Sequence, residues 1–168
     1  MFVLDTATGQ RIRANIERAG AYDLVTVRND WERFSSGFNW SLSKTTETYK
    51  LRLENEKKIL GLISIRDVKN NSINAIKIEL LELSSENIGN NKRIDWIAGC
   101  LIGWACKISF ERRYEGNVYL VPKTNLIAHF ASTYGFVHMN IRSTERPAGF
   151  MVMFGALSQI LINEFLNA

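Results

Sequence analysis

The stretch from Ile76 to His138 constrains the fold most, because strand, loop and helix patterns follow one another in it without interruption. An apolar strand, IKIELLEL, leads into a polar loop, and a long helix with apolar residues at three- and four-residue steps follows. A second strand, Val118–Val121, and a short helix before Tyr-Gly-Phe complete the stretch. The first amides of a helix lack partners and carry a partial positive charge, which favours a phosphate. The order therefore predicts a cofactor-binding unit.

The strand before the loop contains an irregularity that indicates a β-bulge. Its apolar phase shifts by one residue at Leu80-Leu81, and such a slip in a period-two pattern is what a bulge produces. With a bulge there, Lys77, Glu79 and Glu82 face the same side. Without it, Glu82 would point into the apolar layer, where an unpaired carboxylate is costly. We therefore predict a bulge at Leu80-Leu81.

Two further strands precede this one, and the three together predict an antiparallel meander. Tyr49–Leu53 alternates apolar and charged residues, as a half-buried strand does, and Ile59–Ile65 is almost wholly apolar, as a central strand should be. Farther on, Phe136–Met139 and Phe150–Phe154 are typical of strands, and a helix follows them. The pattern predicts a sheet that is largely antiparallel.

The first 45 residues allow more than one structure. The segments Phe2-Val3-Leu4 and Arg11-Ile12-Arg13 flank a Thr-Ala-Thr-Gly turn and predict a hairpin, although a helix through Ile12–Arg18 is equally allowed. Tyr22–Val27 is typical of a strand. Trp31–Trp40 holds two tryptophans and two phenylalanines among polar residues, which indicates either an aromatic loop against the core or a wall of a substrate cleft.

Length and composition predict one domain over residues 1–168, with residues 46–168 as the cofactor-binding core and residues 1–45 as a part of less certain structure. No apolar run approaches the roughly 20 residues that span a bilayer, and the first residues do not resemble a signal peptide, so we expect a cytoplasmic protein. The net charge of +4 is spread thinly, which makes nucleic acid an unexpected partner. The two cysteines have no ligand-spaced neighbours, so we expect no metal.

The junction of loop and helix resembles the GNAT superfamily of acetyl-CoA-dependent N-acetyltransferases. The loop of that family reads Gln/Arg-x-x-Gly-x-Gly/Ala and is followed by a leucine, a pattern that this sequence matches at Arg93, Ala98 and Leu101. Downstream, KTNLIAHF and the later YGF resemble a bacterial subgroup with a Lys-Thr-x-Leu-Ile-x-His-Tyr run before Tyr-Gly-Phe. A rival register, Glu86-x-x-Gly89-x-Asn91, would need a longer helix than the apolar stripe supports. The resemblance covers roughly residue 49 to the end.

This resemblance implies an α/β fold with a mixed, mostly antiparallel sheet, a bulged and splayed central strand pair, and flanking helices. The gap between the splayed strands would hold the pantetheine arm of acetyl-CoA, and a carboxylate facing the gap, Glu79 or Glu82, would take a proton from an acceptor amine. The implied cofactor contacts are Leu81, Leu83, Arg93, Trp96, Ile97, Ala98, Gly99, Thr124 and Phe130.

Two residues depart from the family pattern. Phe130 stands where relatives place a general-acid tyrosine, and a phenyl ring cannot donate a proton, so Tyr134, one helical turn later, is the candidate donor. Trp96 stands where the loop normally has glycine, which permits a positive φ and close approach to phosphate. An indole at this position either points to solvent or fills the pocket.

The expected function is acetyl transfer from acetyl-CoA to a primary amine of a small molecule or protein. The alternative is a catalytically degenerate GNAT-fold protein that acts as a ligand- or partner-binding module. A homodimer is compatible with the sequence, but no feature requires one.

Overall fold

This computed structural model describes residues 1–168, apart from the side chain of Thr124. These described residues form one mixed β-sheet and four α-helices. The strands are β1 Phe2–Asp5, β2 Arg11–Arg18, β3 Glu47–Leu53, β4 Ile59–Lys69, β5 Asn74–Leu83, β6 Ile94–Asp95, β7 Val118–Leu120, β8 Val137–Met139 and β9 Phe150–Met153. The helices are α1 Ala21–Asn29, α2 Ile97–Glu111, α3 Ile127–Tyr134 and α4 Gly155–Phe165. Thr124 was among the predicted cofactor contacts, and its side chain is outside the part of the chain that the structure describes.

The sheet has the order β6-β1-β2-β3-β4-β5-β7-β9-β8, and only the β5–β7 pair is parallel. The predicted meander is confirmed, because β3, β4 and β5 pair antiparallel in succession. A parallel pair needs a crossover connection, and the stretch after β5 supplies it through α2. The predicted mixed, mostly antiparallel sheet is therefore confirmed.

The larger core lies between the sheet and helices α2 and α4. Ile97, Leu101 and Ile102 of α2 are fully buried there, as the apolar stripe predicts. Gly61 on β4 allows the helix to come close, since a Cβ at this position would lie 2.9 Å from Cγ2 of Ile97. The smaller core is on the opposite face, where α1 and the segment after it bury Trp40 against the sheet.

The N-terminal predictions are confirmed in part. The hairpin is present, because β1 and β2 pair antiparallel, and the alternative helix through Ile12–Arg18 is wrong. The strand predicted at Tyr22–Val27 is also wrong, because these residues belong to α1. Asp23 accepts a hydrogen bond from the Gly20 amide at 2.8 Å and so stabilises the start of the helix. Leu24 and Val27, three residues apart, are its buried positions.

Helix α3 is partly exposed. Leu126, just before it, is 36% exposed, and no residue of α3 is fully buried. The helix therefore presents apolar side chains to a cavity rather than to a filled core. None of the helices in the described residues has the length and hydropathy of a membrane span.

Candidate active site

Strands β5 and β7 pair over three residues only and then separate. The last pair is Ile78 with Leu120, although β5 continues for five more residues to Leu83. We call the point after this last pair the split. The predicted splayed strand pair is thus confirmed, and beyond the split one edge of β5 has no neighbouring strand.

A β-bulge lies at the split, one residue before the predicted place. Ser64 pairs with Leu80 and Ile65 with Ile78, so Glu79 is the extra residue, and the prediction of a bulge at Leu80-Leu81 is wrong in position. The slip turns Leu80 toward the smaller core, away from the face occupied by Ile78. The predicted consequence of the bulge is nevertheless present, because the side chains of Glu79 and Glu82 both lie on the face of the sheet opposite α2.

The open edge of β5 offers backbone groups to a ligand. The amide of Ser84 donates to the Leu60 oxygen of β4 at 2.9 Å. Because backbone groups of successive residues in a strand point to opposite edges, those of Leu83 and Leu81 point away from β4, into the gap beyond the split. An extended ligand with amides could pair with them as an added strand does.

A cleft of about 350 Å³ occupies the gap. This volume is within the roughly 300–1,000 Å³ typical of small-molecule sites. The cleft receives side chains from both faces of the sheet, because the separated strands leave a passage between them. It brings together these predicted site residues: Leu81, Glu82, Leu83, Ala98, Phe130 and Tyr134. It does not include the side chains of Glu79, Arg93, Trp96 or Ile97.

The N-terminus of α2 opens at one end of the cleft. The helix begins at Ile97, and its first hydrogen bond runs from the Cys100 amide to the Trp96 oxygen at 2.9 Å. In the part of the chain that the structure describes, the amides of Ile97, Ala98 and Gly99 have no protein partner. Three free amides at the positive end of a helix dipole form a favourable place for a phosphate.

The backbone of Trp96 has a left-handed conformation, which glycine adopts without strain. Trp96 is the N-cap of α2 and has φ 71° and ψ 1°. Its indole lies under the Arg11 guanidinium, 5.5 Å from the ring centroid, and does not line the cleft. The side chain that could have filled the pocket therefore points elsewhere.

A pair of substitutions measures the strain at this position. Trp96→Gly and Trp96→Ala remove the same indole, so the difference between their unfolding free energies isolates the backbone. We expect the glycine variant to be more stable by about 1 kcal/mol, because the left-handed region costs a residue with a Cβ roughly 1–2 kcal/mol. Urea denaturation measures this difference, and an alanine variant of equal or greater stability would exclude the left-handed conformation.

Three of the predicted cofactor contacts have side chains with other roles. Ile97 is 1% exposed in the larger core. A Cβ at Gly99 would overlap the Phe165 ring of α4, so the glycine is required by helix packing. Arg93 is exposed and lines a separate depression with Asp5, at the edge of the sheet. Ala98 lines the cleft, whereas Ile97 and Gly99 can offer a ligand only their amides.

Glu82 is the buried carboxylate of the cleft. It is 7% exposed, and its oxygens accept hydrogen bonds from the Trp40 indole at 2.5 Å and from the Ser36 amide at 3.1 Å. These two donors fix its orientation without neutralising its charge. A carboxylate can accept about four hydrogen bonds, so it retains capacity for an amine or a water molecule.

Glu79 is held in ion pairs at the split. It bonds to Arg66 and to Lys77, whose Nζ lies 3.0 Å from its Oε2. Burial alone would raise the pKa of Glu79, but the hydrogen bonds from Arg66 and Lys77 outweigh it and hold the pKa below its usual value. A base of lowered pKa with two cationic partners is a poor proton acceptor.

Tyr134 and Phe130 form the helical wall of the cleft. Their rings lie 6.1 Å apart, and Tyr134 also contacts Phe165 of α4 at 6.4 Å. Burial, with smaller contributions from Asp95 and Cys100, raises the pKa of Tyr134 to about 12, so its hydroxyl stays protonated at neutral pH.

The segment between α1 and β3 supplies residues that the sequence did not single out. Ser36 and Trp40 orient Glu82, and Arg33 joins the segment to the loop before α2 by bonding to Glu86 at 2.8 Å. Burial opposes the effect, but this bond and one from Lys58 lower the pKa of Glu86 to about 2. The aromatic residues of Trp31–Trp40 allowed a cleft wall to be predicted from the sequence. The hydrogen bonds from Ser36 and Trp40 to Glu82 are visible only in the structure.

A larger cavity, of about 800 Å³, lies between α1 and the edges of β2 and β3. Its charged groups are largely paired with each other: Lys50 bonds to Asp23 at 2.7 Å, and Arg52 to Glu17 at 2.6 Å. It does not reach the split or the start of α2. The cleft at the split is therefore the better candidate, although it is smaller.

The sequence matches no family model and no curated protein, whereas many solved structures share its fold. A bacterial toxin aligns over 90% of this chain and 96% of its own, with a TM-score of 0.65 and 8% identity. A mutant AtaT toxin, bound to the C-terminus of the antitoxin AtaR and to acetyl-CoA, aligns over 89% and 98%, with a TM-score of 0.58 and 11% identity. A ribosomal-protein-alanine acetyltransferase from Vibrio fischeri aligns over 85% and 93%, at 0.57 and 13%. The fold is that of the GNAT acetyltransferases.

Proposed function

We propose that this protein transfers an acetyl group from acetyl-CoA to a primary amine. One observation carries the proposal: β5 and β7 separate after Ile78 and Leu120, and the cleft that begins there connects the open edge of β5 with the free amides of α2. Acetyl-CoA has a long arm with amide groups and a pyrophosphate at its other end, so its chemistry matches both features. Acetyl-CoA is also bound by the AtaT mutant, which has this fold.

The binding roles follow from the backbone rather than from side chains. The amides of Ile97, Ala98 and Gly99 would hold the pyrophosphate, and the backbone of Leu81 and Leu83 would pair with the arm. The thioester end then lies toward the split. Ala98 has room beside it in the cleft, and the half-buried ring of Phe130 would be covered by the arm.

Acetyl-CoA supplies an activated acetyl group, and the protein has to manage the protons of the amine. Glu82 is the proton acceptor of this proposal, directly or through a water molecule, because it is the carboxylate that lines the cleft. Tyr134 is the candidate proton donor for the thiol, since it lines the same cleft and remains protonated at neutral pH. Glu79 is the weaker candidate for the proton acceptor, because it is held in ion pairs with Arg66 and Lys77.

The alternative, a protein that binds a ligand or partner without acetyl transfer, is favoured by Phe130. Its ring occupies the helical wall of the cleft, has no donor group, and contacts His129, Tyr134 and Phe136. If the Tyr134 hydroxyl does not reach the thiol, transfer would lack a positioned acid. The loss of such an acid costs about 10²–10⁴-fold, so slow transfer could remain.

Two measurements separate these functions. Calorimetric titration with acetyl-CoA should give a dissociation constant below about 1 mM, the upper end of usual enzyme constants, and a thiol-release assay with a panel of primary amines should give turnover. No heat at millimolar acetyl-CoA would overturn the proposal. Binding without thiol release from any amine would favour the alternative.

A further inference from the structure

A second pocket opens on the face of the sheet opposite α2, close to the split. It has a volume of about 270 Å³ and is lined by Val68 of β4, Ala75 of β5, Tyr119 of β7, and Phe150 and Val152 of β9, with Ile73, Arg146 and Phe154 at its rim. These strand residues share one face, because Lys77 pairs with Tyr119 and Tyr119 with Val152. We call it the Arg146 pocket. Its strand residues are mostly apolar, Asn70 and Asn117 add amide groups to the lining, and its size suits a small molecule.

The pocket adjoins the place where the reaction would occur. Tyr119 immediately precedes Leu120, the last β7 residue that pairs with β5. One residue of strand spans about 3.3 Å, so the inner end of the pocket lies within a few ångströms of the split. Glu82 leaves the sheet on this same face. Glu82 lies four residues beyond Ile78, roughly 13 Å along the strand, so an amine that reaches the split from the pocket would pass its proton to that carboxylate through water.

Arg146 is the unmatched charge of this pocket. Its guanidinium lies 4.9 Å from the centre of the Phe150 ring, and Phe150 in turn contacts Tyr119 at 6.3 Å. The ion pairs of the face join Arg66 and Lys77 to Glu79, and within the described residues none includes Arg146. Three cations with one carboxylate leave the face positive. An arginine free of a protein carboxylate presents a planar fork of donors that fits a ligand carboxylate.

We propose that the Arg146 pocket is the acceptor site, and that the acceptor is a small primary amine joined to a carboxylate through a short apolar body. The carboxylate would bind Arg146, the apolar body would lie against Phe150 and Tyr119, and the amine would reach the split. A single unmatched arginine suits one carboxylate better than a doubly charged phosphate.

This inference rests on the proposed function and is tested with matched amines. In the thiol-release assay, ε-aminocaproate should have a kcat/KM about 10–100-fold above that of hexylamine, and para-aminomethylbenzoate the same advantage over benzylamine, since hydrogen bonds to charged groups contribute about that factor. Arg146→Gln should abolish the advantage, and Arg146→Lys should restore part of it. Arg142→Gln is the control, because Arg142 is exposed on the same loop and bonds to Asn140 rather than lining the pocket.

The proposal is overturned if the uncharged amines perform as well as the carboxylate-bearing ones, or if the Arg146→Gln and Arg142→Gln variants behave alike. A direct binding titration of the pocket distinguishes failure of the pocket assignment from failure of the proposed acetyl transfer. N-acetyl-ε-aminocaproate, followed by amide chemical shifts, should perturb Tyr119, Phe150 and Val152 in the wild type and not in Arg146→Gln. If acetyl-CoA does not bind but these shifts move, only the proposed function fails; if they do not move, the pocket assignment fails.

Discussion

Replacing Glu82 by glutamine is expected to lower kcat by about 10²–10⁴-fold, the usual contribution of a positioned general base. The carboxylate accepts hydrogen bonds from Ser36 and Trp40, and it is the acidic side chain that lines the cleft. A glutamine has one acceptor oxygen, so its amide group must face one of the two donors. Steady-state kinetics with acetyl-CoA and an amine measure the effect, while the affinity for acetyl-CoA should change little.

Two controls distinguish catalysis by Glu82 from a purely structural role. Trp40→Phe removes one donor and leaves the carboxylate, so it should lower the free energy of unfolding by about 1–3 kcal/mol but reduce kcat far less than Glu82→Gln does. Glu79→Gln removes the carboxylate that is already paired and should have a small effect on kcat. If Trp40→Phe and Glu82→Gln lose activity equally, Glu82 serves only to anchor the segment that carries Trp40.

Replacing Gly99 by alanine is expected to lower the free energy of unfolding by about 1–3 kcal/mol, the usual cost of overpacking a core. The added methyl group would overlap the Phe165 ring, so α4 has to move away from the first turn of α2. Because this turn carries the free amides, the affinity for acetyl-CoA should fall as well. Chemical denaturation and calorimetric titration measure the two effects.

Gly103, one turn later in α2, provides the matched control. A Cβ there would lie 3.4 Å from Cγ of Leu166, an ordinary contact, so Gly103→Ala should be neutral or stabilising by up to about 1 kcal/mol. Adding Phe165→Leu to Gly99→Ala should recover part of the lost stability. Equal effects of the two alanine substitutions would contradict the close packing of α2 against α4 at Gly99.

Periodicity was sufficient to predict the central part of the fold. The meander of β3, β4 and β5 has clear alternation or an apolar run in each strand, and α2 has a continuous apolar stripe. The bulge was inferred because a phase slip is visible in sequence, yet its position was missed by one residue. Strand pairing fixes that position, and pairing depends on the partner β4, which the sequence of β5 alone does not contain.

Short-range patterns failed where tertiary contacts decide. Tyr22–Val27 has β-forming residues, but Gly20 and Asp23 start a helix whose two buried positions pack on the sheet. In the site, the helix after the loop could be predicted from its apolar stripe, whereas the Trp96 indole lies against Arg11, 85 residues earlier. The fixation of Glu82 by Trp40 likewise joins residues 42 positions apart.

Amide hydrogen exchange with and without acetyl-CoA tests whether the split between β5 and β7 is the site of a CoA thioester. We expect acetyl-CoA to slow exchange at Leu81, Leu83 and Ile97–Gly99, because these amides have no partner within the described residues and would acquire one from the arm or the pyrophosphate. Unchanged exchange at these amides under saturating acetyl-CoA, or protection confined to another part of the chain, would contradict it.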